Sequence, residues 1–114
     1  MVGKTNGNID ILALTSLPFS ATYTDSYQPQ NNDDRIIDMD FSYDNTKLLI
    51  CFSNDNDLSV VTNWATSGSR SHDQKDITDD HVACKWSKND DAVVADVNLK
   101  VRVFPVSGAG VIGG

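Results

Sequence analysis

At 114 residues the chain is long enough for one modest domain and too short for two. Sixteen acidic residues against nine basic ones give a formal charge of −7 and an isoelectric point near 4.4, which weighs against sequence-independent binding to nucleic acid or to an anionic membrane. Every acid is an aspartate, and Asn, Ser, Thr and Val are plentiful, so the composition favours turns and strands over helix and points to an all-β fold.

Taken in chain order, the opening MVGKTNGNID places no apolar run behind its lysine, and no stretch is apolar for long enough to span a bilayer. The expectation is an intracellular protein, cytoplasmic or cytoskeletal, with no membrane partner. From Asn6 the segment NGNIDILALTS alternates apolar and polar residues as a strand does, and Ser20 to Tyr27 alternates enough to lie beside it, within a polar linker running from Pro18 to Asp34. IIDMDFSYDNTKLLIC, Ile36 to Cys51, reads as strand, polar turn, strand. DLSVVTNWATSG from Asp57 supplies a third strand, and the polar SRSHDQKDIT, Ser69 to Thr78, a weak edge strand. HVACKWSKNDDAVVAD, His81 to Asp96, reads again as strand, turn, strand, and NLKVRVFPVSG from Asn98 as a strand leading into the glycine-rich tail.

These segments repeat. Ile36–Cys51 lies on His81–Asp96 without a gap at an offset of 45, setting Ile37 on Val82, Met39 on Cys84, Phe41-Ser42 on Trp86-Ser87 and Leu48-Leu49 on Val93-Val94. The third strands align from Asn6, Asp57 and Asn98 at offsets of 51 and 41, with the difference absorbed in loops.

An apolar-x-apolar-x-Phe-Ser strand, a polar turn, a Leu-Leu run, an Asn/Asp turn and a Val-x-Val-aromatic strand ending near Ser-Gly resemble the WD40-type β-propeller repeat. The resemblance implies antiparallel four-stranded propeller blades in an incomplete β-propeller of about two and a third blades, since closure takes about four to eight. It divides the chain into a partial blade and linker over 1–34, a blade over 35–80, a blade lacking its outer strand over 81–108, and a tail over 109–114 expected to be a flexible end or blade connection. Such a piece leaves an apolar face open at each end. The function it implies is a non-enzymatic protein-interaction scaffold, whose partner is a protein with a basic surface or further blades. Alternatives are a structural subunit of a cytoskeletal or ciliary assembly, its propeller completed by other polypeptide, and an extracellular calcium-binding β module with a Cys51–Cys84 bridge.

The site residues expected to meet a partner are Asp55, Asp57, Asp90 and Asp91 in the inter-strand turns, with Trp64 as an apolar anchor. The aspartate clusters fall where the repeat requires turns and lack the Gly and Glu of a calcium loop. Asp90→Ala in such a turn is expected to change stability little. Cys51 and Cys84 have no metal-ligand spacing and read as buried free thiols, and His72 and His81 as solvent or turn positions. Ser71-His72-Asp73 holds triad residue types, but three consecutive side chains do not converge, and no phosphate loop or nucleophile elbow occurs. No catalytic residue, cofactor or metal is therefore assigned. Trp86 occupies the repeat position of Phe41, and both are expected to be equivalent core anchors.

Overall fold

A computed structural model describes residues 1–4, 8–16, 19–28, 35–52, 57–64, 68–77, 81–97 and 100–114. Among them there is no helix. Ten strands run in order: β1 (Val2–Gly3), β2 (Ile9–Ser16), β3 (Phe19–Tyr27), β4 (Ile36–Phe41), β5 (Lys47–Phe52), β6 (Asp57–Thr62), β7 (Ser71–Asp76), β8 (His81–Trp86), β9 (Ala92–Val97) and β10 (Lys100–Pro105). They form three antiparallel meanders, an N-terminal sheet β1-β2-β3, a central sheet β4-β5-β6-β7 and a C-terminal sheet β10-β9-β8. The fold is all-β.

The repeat is physical as well as textual. Both first strands carry a register irregularity at the same place, between Ile36 and Asp38 in β4 and between His81 and Ala83 in β8. The turns that follow also match. Ser42 N–H donates to the Lys47 carbonyl and Asn45 N–H to that of Ser42, while Ser87 and Asp90 donate to Ala92 and Ser87 in the same pattern. Asn45 and Asp90 adopt left-handed φ angles of 60° and 59°, which Asn and Asp tolerate better than other residues with a Cβ. In each turn the leading serine hydroxyl accepts the N–H that opens the next strand, Lys47 for Ser42 and Ala92 for Ser87.

Alternation along the strands sends side chains to two apolar layers. Leu48, Ile50, Phe52 and Val61 of the central sheet meet Ile9 of the N-terminal sheet, with Ile36, Met39, Phe41 and Trp64 packed around them. On the opposite face, Leu49, Cys51, Leu58 and Val60 meet Cys84, Trp86, Val93, Ala95 and Phe104 of the C-terminal sheet. Phe41 and Trp86 thus occupy corresponding places, each on its sheet's face toward the preceding sheet. Only Trp86 is fully buried, while Phe41 is half-buried against its layer. The central strands β5 and β6 are buried on both faces, which is why KLLICF is nearly continuous in apolar residues.

The ladders correct one alignment. Val103 pairs with Val94 as Val60 pairs with Leu49, so the third strands of the last two repeats stand 43 residues apart, not 41. A shift of two residues preserves the face of every side chain, so the apolar pattern alone leaves this register open.

The tail departs from expectation. Instead of a flexible end, residues 106–113 fold back: Val106 bridges Ile112, Ser107 N–H donates to the Val111 carbonyl, and Gly113 N–H donates to that of Pro105. Val106 and Ile112 are buried in the central/C-terminal layer, and Ile112 N–H donates to the Asp73 carboxylate on β7. Within the weak sequence signal SRSHDQKDIT, Ser71–Asp76 forms β7 and pairs with β6 from Asp57↔Asp76 to Thr62↔Ser71. Its polarity is that of an edge strand exposed on alternate residues.

Candidate functional site

The acids expected to face a partner are engaged in the fold where they are described. Asp55 lies outside the described residues. Asp57 opens β6 with only 2% exposure, and its carboxylate accepts the Gln74 amide at 2.6 Å, so it is not a surface contact. Asp90 reaches into the preceding turn and accepts the N–H groups of Tyr43 at 2.7 Å and Asp44 at 2.9 Å. That overturns the expectation of an inconsequential side chain. Asp91 is exposed and accepts the Ser87 hydroxyl at 2.8 Å. Trp64 is half-buried, its ring 4.8 Å from that of Phe41 and its Nε1–H donating to the Asn45 carbonyl. Ser71, His72 and Asp73 turn to three separate partners, Thr62, Tyr27 and Ile112, so no triad geometry arises.

What joins the sheets is a carboxylate comb that sequence spacing alone did not indicate. Asp38 and Asp40 project from β4, and their carboxylates accept the main-chain N–H groups of Cys84 at 3.1 Å and Trp86 at 2.9 Å. The Trp86 indole donates to the Asp40 carbonyl at 3.1 Å. The D-x-D of IIDMDF therefore serves β8, supplying acceptors to amides on its outer edge, where no described strand pairs with it.

The C-terminal sheet has the same face, turned outward. Val94, Val101 and Val103 correspond through the ladders to Leu49, Leu58 and Val60. Leu49, Leu58 and Val60 are fully buried by the C-terminal sheet, whereas Val101 and Val103 are 72% and 63% exposed. With Ala83 and Lys85, Val94 and Val101 line a shallow groove of about 220 Å³. Ala83 and Lys85 stand where the central sheet carries Asp38 and Asp40. This face presents a cation where its counterpart presents acceptors.

Between the central and C-terminal sheets lie two free thiols. Cys51 on β5 and Cys84 on β8 are both buried, with sulfurs 2.7 Å apart. An Asp38 carboxylate oxygen stands within 4.8 Å of both. The Asp38 oxygens accept the N–H groups of Met39 and Cys84. The adjacent Cys51 thiol, followed by burial, pushes the Cys84 pKa far up, which keeps that thiol protonated. The 33-residue separation of the two cysteines hides this cluster from any motif-spacing argument.

No family model matches the chain, and no curated protein matches its sequence.

Proposed function

We propose that the chain is a run of propeller-type blades acting as a non-enzymatic protein-interaction scaffold, and that it works by receiving a further β-sheet on the open face of β8–β10. The observation that carries this reading is the contrast between two equivalent faces: Leu49, Leu58 and Val60 are sealed by a neighbouring sheet, while no described sheet covers half-buried Val94 or exposed Val101 and Val103. Adjacent exposed valines on a sheet face are an interaction surface by the same physics that closes the internal layer. The partner this face fits is a sheet with an apolar surface and a carboxylate or carbonyl opposite Lys85. That chemistry differs from the basic partner expected from the acidic turns, where the described Asp44, Asp90 and Asp91 carboxylates accept hydrogen bonds from the chain's own amides and hydroxyls.

In a structural assembly the arriving sheet belongs to another subunit, and a second copy of the chain is the first to test. Light scattering after size exclusion, over a micromolar concentration series, should show association that the double variant Val101→Asp, Val103→Asp abolishes. A fluorescent dye specific for apolar surface should bind any remaining wild-type monomer and bind the variant less. A wild-type monomer that neither associates nor binds the dye would overturn the proposal.

A further inference from the structure

We propose that Cys51 and Cys84 are a site of oxidative cross-linking, a dithiol that a small peroxide converts into a disulfide joining the central sheet to the C-terminal sheet. This inference stands on the internal layer and is independent of what docks on the open face. The sulfurs project from β5 and β8 and lie 2.7 Å apart, already inside non-bonded contact. Reaching a disulfide bond length takes an approach of only about 0.7 Å. The cysteines belong to different sheets, so the bond would tie together covalently two units that are joined by side-chain packing, the Asp38 and Asp40 comb and the Asp90 link between turns.

A metal fits this cluster less well. Two thiolates sharing one cation stand farther apart than these sulfurs, and Asp38 already serves two main-chain amides. Oxidation needs no third ligand. One thiol, deprotonated as the layer opens, attacks a peroxide oxygen, and the O–O bond breaks to give a sulfenic acid and hydroxide. The second thiol then attacks the sulfenic sulfur, forming the S–S bond and expelling the oxygen as water. The net change consumes one peroxide, oxidises two thiols and releases two waters.

Both thiols are almost inaccessible, at 0% and 2% exposure, so the reaction requires the sheets to part and should accelerate in sub-denaturing urea. Once formed, the bond closes a long loop and should raise the melting temperature by about 10 °C or more.

The test is to treat the reduced protein with hydrogen peroxide, unfold it, alkylate free thiols and measure the intact mass. The expected product is a monomer lacking both alkyl groups and about 2 Da lighter than the reduced chain, reversed by dithiothreitol. Proteolysis should yield a Cys51–Cys84 linked peptide, and the melting temperature should rise in wild type but not in Cys84→Ala. If both cysteines of the wild type remain alkylatable after peroxide treatment that oxidises the unfolded chain, the proposal fails. A cross-link that leaves the melting temperature unchanged also overturns it, because the bond would then form outside the native layer. Both outcomes are read on the wild type, so neither depends on a cysteine variant folding.

Discussion

The Asp90 carboxylate accepts the main-chain N–H of Tyr43 at 2.7 Å, tying the turn of the C-terminal sheet to the equivalent turn of the central sheet. Its second oxygen takes the next amide, that of Asp44, at 2.9 Å. Asp90 itself sits at a φ of 59°, so the residue has two separable roles. Asp90→Asn retains a residue suited to the left-handed turn but weakens the acceptor, and should cost about 1 kcal/mol. Asp90→Ala removes the acceptor and adds backbone strain, and should cost about 2 kcal/mol or more. The neighbouring Asp91→Ala should stay within about 0.5 kcal/mol. Urea denaturation of the three variants checks the order.

Trp86 and Phe41 share a repeat position but lie in different apolar layers. Trp86→Ala opens a cavity beside Val93 and Phe104 and removes the indole hydrogen bond to Asp40, with an expected cost of about 3 to 5 kcal/mol. Phe41→Ala, at a half-buried site, should cost less. Coupling is expected for Phe41 with Trp64, whose rings lie 4.8 Å apart at 52°, by about 0.5 to 1.5 kcal/mol in a double-mutant cycle. The Phe41/Trp86 pair should add nearly independently. Equal losses at the two aromatics, or strong Phe41/Trp86 coupling, would contradict the two-layer arrangement.

Much of this architecture is written in period-two alternation. Strands β2 to β10, their meander order and the offset of 45 follow from apolar spacing, alternating in the outer strands and nearly continuous in β5, which is buried on both faces. The alternation says less about absolute register, which is why the offset of 41 aligns Val101 with Val60 whereas the ladders put Val103 in that place. Polar side chains were the least legible. Asp38, Asp57 and Asp90 resemble surface acids in composition, yet each answers a hydrogen-bond donor brought near by folding: the amide of Cys84, the side chain of Gln74 and the amides of Tyr43 and Asp44. The thiol cluster escaped for the same reason, since only packing of β8 against the central sheet brings Cys84 to Cys51.

Asp44 should titrate at about 2, well below its ordinary value near 4. Hydrogen bonding to its carboxylate from the Ser42 hydroxyl is the largest cause, followed by the Thr46 hydroxyl and the Thr46 amide. These bonds favour the charged form, so their contribution to stability is present above the unfolded value and fades as pH falls from about 4 to about 2. Carbon-detected NMR titration of the aspartate carboxyls should find this low midpoint, and Ser42→Ala should move it upward. An unmoved midpoint would assign the shift to Thr46 alone.

Gly110 provides the sharpest test of the docked tail. Its φ of +86° lies in the left-handed region, and a Cβ built there would stand 2.5 Å from the Thr62 Cγ2 on β6. Thr62 is β-branched and its hydroxyl is held by Ser71 at 2.7 Å, so the methyl has little freedom to withdraw. Gly110→Ala thus adds a steric clash to backbone strain, and should cost about 2 kcal/mol or more. Gly108, whose added Cβ would meet nothing within 4 Å, lies in the same turn and serves as the control, with Gly108→Ala expected to remain within about 0.5 kcal/mol. Amide exchange locates the effect. In Gly110→Ala the Ile112 amide, bonded to Asp73 at 2.9 Å, should lose protection as the tail lifts from the central sheet. Equal stability of the two alanine variants, with Ile112 protected in both, would show that residues 106–113 do not pack against β6 and β7 in solution.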